Sequence, residues 1–102
     1  MVVNSRHKCC HTYCPHQYDD VIGQKGWTQH ASLKGAECIP CMYAIQMVRQ
    51  GQTVEQVEAV PQLMQMFSDL LAKTGWSWQQ VKDSYQRVMA LSSEAREREV
   101  AK

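Results

Sequence analysis

The stretch Lys34-Gly35-Ala36-Glu37-Cys38-Ile39-Pro40-Cys41-Met42-Tyr43-Ala44-Ile45 decides how this chain is read. Cys38 and Cys41 stand at the Cys-x-x-Cys spacing that lets two sulfurs converge on one metal ion. The segment then runs straight into an apolar stretch of helical pattern. Pro40 is tolerated in a first helical turn, where its missing N–H has no intrahelical partner. A helix is therefore predicted to start near residues 38–40. It continues through Met42, Ile45, Met47, Val48 and Arg49 and stops at Gly51. A helix N-terminus also stabilises thiolates placed on it.

Upstream lies a second cluster, Cys9-Cys10-His11-Thr12-Tyr13-Cys14. All five cysteines and all four histidines (His7, His11, His16 and His30) fall in the first half of the chain. Structural zinc takes four thiolate or imidazole ligands in a tetrahedron. Cys38 and Cys41 supply one pair, and Cys10 with Cys14 is the favoured second pair. Cys9 with Cys14 is the near-equal alternative, and a Cys3His set using His11 comes third. Four filled positions describe a closed, structural zinc site, whereas catalytic zinc keeps one position open for water.

No N-terminal run has the charged start, apolar middle and small-residue end of a signal peptide. No apolar stretch approaches the roughly 18–20 residues needed to cross a bilayer. A cytoplasmic location is expected, with no membrane partner. Thiols stay reduced there, which favours metal ligands over disulfides. The odd cysteine count fits four ligands and one spare.

Residues 21–28, Val-Ile-Gly-Gln-Lys-Gly-Trp-Thr, read as a candidate β-hairpin between the two clusters. A knuckle pair, a hairpin, then a cysteine pair leading a helix is the order of parts in a treble clef.

Downstream the pattern is helical. Thr53-Val54-Glu55-Gln56 is a capping-box pattern, so a short helix is predicted over 53–60. Pro61 would clash inside that helix but suits a fresh first turn. A second helix follows, with Leu63, Phe67, Leu70 and Leu71 on one stripe and Gly75 as its stop. Ser77-Trp78-Gln79-Gln80 repeats the capping-box pattern. Val81, Tyr85, Val88 and Met89 form the stripe of the next helix. Beyond Leu91 a charged, solvated, fraying helical tail is expected, with Glu94 and Arg98 as an i,i+4 pair.

The expected fold class is mainly α, with a small treble-clef-like zinc-stapled head followed by three to four helices. The 102 residues suit a single domain, divided into a head over 9–50, a helical part over 51–92 and a charged tail over 93–102. So short a chain has a modest core, which a metal staple reinforces.

The run His30, Lys34-Gly35 and Cys38-Ile39-Pro40-Cys41 resembles phage recombination endonucleases of the endonuclease VII type, the His-Me finger proteins. These carry a histidine-containing turn, a basic residue with Gly, and Cys-x-x-Cys at a helix start. The resemblance is confined to that run. The family has an acidic residue before its histidines, where this chain has Trp27-Thr28-Gln29-His30. The family has Asn after the last cysteine, where this chain has Met42. The resemblance therefore implies the zinc scaffold and not the nuclease chemistry, and no catalytic residue is assigned.

Net charge is +1, so no global field draws the protein toward nucleic acid or an anionic membrane. Residues 61–73 could serve as a DNA-reading helix through Gln62, Gln65 and Lys73, but phosphate-neutralising charge is missing and Asp69 opposes it. Six methionines and the pair Trp76 and Trp78 suit core filling or partner grooves. The favoured function is a small non-enzymatic zinc-binding interaction or regulatory protein, analogous to phage or mobile-element regulators. It would dock on a protein partner or a second copy through its helices. The alternative is a nucleic-acid-binding protein, either a transcription regulator or a degenerate His-Me finger nuclease.

Overall fold

A computed structural model describes residues 6–19, 26–29 and 36–101. Strands β1 (Arg6–Lys8) and β2 (Gln17–Asp19) pair antiparallel, with His7 opposite Tyr18. The first cysteine cluster fills the loop between them. Strands β3 (Trp27–Gln29) and β4 (Ala36–Cys38) form a second antiparallel pair, with Trp27 opposite Cys38. Helices α1 (Ile39–Arg49), α2 (Val54–Glu58), α3 (Pro61–Ala72), α4 (Trp78–Met89) and α5 (Ser93–Ala101) follow. The protein is mainly helical, with a small β-rich head, as the patterning implies.

Of the hairpin expected over residues 21–28, residues 26–28 are described. Its second arm is present, but Trp27–Gln29 pairs with Ala36–Cys38. Residues 21–25 lie outside the described residues, as do Asp20, His30 and Lys34-Gly35 of the endonuclease-like run.

The helix boundaries follow local chemistry. Cys38 is the N-cap of α1, and its sulfur accepts from the Cys41 N–H. Gly51 adopts φ +68 just beyond α1, a conformation that costs glycine little. Thr53 and Ser77 each form a complete capping box, with Gln56 and Gln80 respectively. Such caps contribute about 1 kcal/mol each. Pro61 opens α3, where no N–H is required of it.

The helical core gathers Met47, Val54, Val57, Phe67, Leu71 and Val81. Tyr43 and Trp78 press on Phe67, with ring centroids at 5.3 Å and 5.1 Å. Helix α1 packs along α4, so the segment that carries the second cysteine pair also forms the floor of this core. Each predicted stripe is narrower than the pattern suggested: Leu70 and Met89 are exposed, while Ser84 is buried on α4.

Trp76 joins the head to the helices. It packs against both the helical core and the cysteine cluster. Its Nε1 donates to the Gly26 carbonyl at 2.7 Å, and its ring lies 4.7 Å from that of His16. Trp76 and Trp78 are both half-buried, and the Trp78 Nε1 donates to Glu58.

The C-terminal segment is also changed. It was expected as a solvated tail, but α5 docks on the head and on α1. Glu99 is 4% exposed, and the Arg49 guanidinium donates twice to the Val100 carbonyl, at 2.8 Å and 2.6 Å. Only the outer face keeps the expected i,i+4 pair, Arg98 to Glu94 at 3.1 Å.

Candidate metal centre

Backbone bonds shape the knuckle. The Cys9 N–H donates to the His16 carbonyl, and the Cys14 N–H donates to the His11 carbonyl. These close the loop so that the Cys9 and Cys14 side chains face inward together. The Cys10 N–H donates instead to the Ala36 carbonyl, which ties the knuckle to β4.

The result is one group of four buried cysteines: Cys9, Cys14, Cys38 and Cys41, with all four sulfurs within 4.8 Å of one another. Cys10 was the favoured ligand beside Cys14, and the structure puts Cys9 there instead. Cys10 is half-exposed and lies against Cys9 at the edge of the cluster, outside the four-sulfur group. Cys10 stands in a bend with its N–H tied to Ala36, and its sulfur groups with His11 and Glu37 instead. Spacing alone could not separate Cys9 from Cys10. His11 lies outside the four-sulfur group as well.

The Cys14 and Cys38 sulfurs are 3.7 Å apart, far beyond a disulfide bond, and all five cysteines are free. Two thiolates on a tetrahedral ion with bonds of 2.3 Å would sit about 3.8 Å apart. That spacing suits a shared ion.

The four sulfurs shift one another strongly. Hydrogen bonds from Cys10 and then from the other three cysteines pull Cys9 well below the usual thiol range. Contact with Cys14 pushes Cys38 and Cys41 far above it. Without a cation the four sulfurs divide, Cys9 and Cys14 pushed toward the thiolate and Cys38 and Cys41 toward the thiol. A dication removes that conflict, and its binding must displace those protons.

Donors surround the sulfurs. The Cys38 N–H donates to Cys9 at 3.5 Å, and the Cys41 N–H donates to Cys38 at 3.4 Å. His16 Nδ1 lies 3.3 Å from the Cys14 sulfur and 3.2 Å from the Cys38 sulfur. Burial, and then Arg87, lower the His16 pKa, so the ring stays neutral and an Nδ1–H can bridge both thiolates. The Cys41 sulfur is 3.8 Å from the buried Ser84 hydroxyl, which can donate once that thiol is ionised. The buried Tyr13 hydroxyl meets no hydrogen-bond partner among the described residues. Burial, and then the neighbouring Cys41, push the phenol far above its usual range, so it too is poised to donate to a thiolate. His16 faces the sulfurs, with the Trp76 ring beside it. Ser84 carried no sequence signal beyond a polar residue on a stripe of apolar ones.

A second buried constellation adjoins the first. His11 is 1% exposed between two glutamates from distant elements. Its Nε2 is 2.6 Å from Glu37 Oε2 on β4, and its Nδ1 is 3.3 Å from Glu99 Oε2 on α5. The Thr12 hydroxyl donates to Glu99 Oε1 at 2.9 Å. Burial opposes a charge on His11, but Glu37 and then Glu99 outweigh it, and the net shift is upward.

Fold and site together define a small helical protein with a four-cysteine head able to hold a metal ion. No protein-family model, curated protein or solved structure matches the chain.

Proposed function

We propose that this protein is a small non-enzymatic zinc-stapled module that docks on a protein partner through its helices. A buried four-sulfur set favours zinc, which tolerates tetrahedral thiolate coordination and supplies folding energy. With all four positions taken by protein, such an ion organises structure and leaves no place for a substrate.

The observation that carries the docking role is the outer face of α3. Met66 is 45% exposed and Leu70 is 38% exposed, one turn apart on the same face. Asp69 is the one charged residue within α3, and it is engaged with Gln65 at 2.9 Å. An apolar, nearly uncharged helix face suits an apolar surface of another protein. The same bond occupies Gln65, which a DNA-reading role would need free.

The test compares the zinc-loaded wild type with a Met66→Lys/Leu70→Lys variant. A stoichiometric protein recovered by the wild type and lost by the variant, with both equally folded, is the expected result. Recovery of none, with a monomer in sedimentation, would count decisively against the docking role.

A further inference from the structure

We propose that Cys10, His11 and Glu37 form a second zinc site, back to back with the four-cysteine site. The metal-ligating atoms of these three residues all lie within 4.8 Å of one another. The placement follows from chain geometry. Cys9 and Cys10 are consecutive and their sulfurs are in contact, but Cys9 belongs to the four-sulfur group and Cys10 groups with His11 and Glu37. Glu37 and Cys38 are consecutive on β4, and strand alternation divides them between the two groups. Two adjacent pairs thus serve two sites, and His11 completes the second.

The surroundings of His11 match those of a ligating imidazole. A ligating histidine usually gives its other ring N–H to a carboxylate, which sets the tautomer and aims the free nitrogen. Here Glu99 faces Nδ1 at 3.3 Å, and the Thr12 hydroxyl anchors that carboxylate at 2.9 Å. That leaves Nε2 as the ligating atom, on the side of Glu37 and Cys10. One thiolate, one imidazole and one carboxylate suit zinc better than magnesium or calcium, which prefer all-oxygen shells. The thiolate and the carboxylate together neutralise a dication.

Without an ion, a proton bridges Nε2 and Oε2 across 2.6 Å. Zinc takes the place of that proton, with both atoms about 2.0–2.2 Å from it. The two atoms then move slightly apart. Three protein ligands leave a fourth position for water, and the half-exposed Cys10 puts this site nearer the surface than its neighbour. The proposal is independent of what α3 docks on.

Zinc per chain, measured by mass spectrometry of the full-length protein after gel filtration from excess zinc, tests it. The wild type is expected to hold two ions. Cys10→Ser and Glu37→Gln are each expected to hold one. Glu37→Gln keeps the side-chain size and a hydrogen bond to His11, so it covers the case in which Cys10→Ser misfolds. Glu99→Gln is expected to weaken the second ion by about 10- to 100-fold in a chelator titration. One ion in the wild type, retained in Cys10→Ser but lost in Cys9→Ser, overturns the second site and leaves the staple standing. Two ions in both Cys10→Ser and Glu37→Gln also overturn it. No ion in the wild type overturns both sites.

Discussion

The Trp76 indole N–H donates to the carbonyl of Gly26 at 2.7 Å, across 50 residues of sequence. This bond ties the four-cysteine head to the helical core. Gly26 has φ +86, and a Cβ there would lie 2.5 Å from Trp76 Nε1 and 2.7 Å from the Thr74 carbonyl oxygen. Gly26→Ala is therefore expected to destabilise through both strain and collision. Trp76→Phe keeps an aromatic ring but loses the hydrogen bond, at about 1 kcal/mol. Urea melts of the metal-loaded variants should rank Gly26→Ala as the more damaging.

The two neighbouring cysteines should behave differently. Cys9→Ser removes one of four sulfurs from the buried group and should abolish tight metal binding there and the folding of the head. Cys10→Ser should retain a four-thiolate cobalt spectrum. Loss of that spectrum in Cys10→Ser and its survival in Cys9→Ser would reverse the assignment.

Removal of metal should unfold the head before the helices. A chelator is expected to lower the melting temperature and to raise hydrogen exchange across β1–β4. Acid should act in the same direction. The thiols of Cys38 and Cys41 are pushed up by contact with Cys14, so binding releases protons. Affinity therefore falls as pH falls, and zinc release measured between neutral and acidic pH should show that sign.

Glu99→Ala should detach α5. The substitution leaves His11 Nδ1 and the Thr12 hydroxyl without this carboxylate. Buried hydrogen bonds of this charged kind contribute about 1.5–3 kcal/mol each. Faster amide exchange confined to residues 93–101, with the helical core unchanged, is the expected signature.

The helical half was legible in the sequence because its signals are local. Capping boxes at Thr53 and Ser77, prolines at helix starts and glycines at helix ends each act within a few residues. The docking of α5 was not legible. Its composition is that of a solvated helix, and Glu99 meets His11 from 88 residues away. Likewise, the apolar residues Leu70 and Met89 fit the stripes by period but lie on their flanks. Only the packed neighbours decide where a stripe ends.

Sequence alone determined that two cysteine clusters flank the start of a helix, and that capped helices follow. Those statements need only spacing and local hydrogen-bonding chemistry. Tertiary structure alone decided that Cys9 and not Cys10 joins the four sulfurs. It also decided that His16 and Ser84 stand against the thiolates, and that a histidine lies buried between two glutamates. The physical reason is that spacing along the chain does not fix which of two adjacent side chains turns inward. Which face turns inward depends on the strands and helices packed around it.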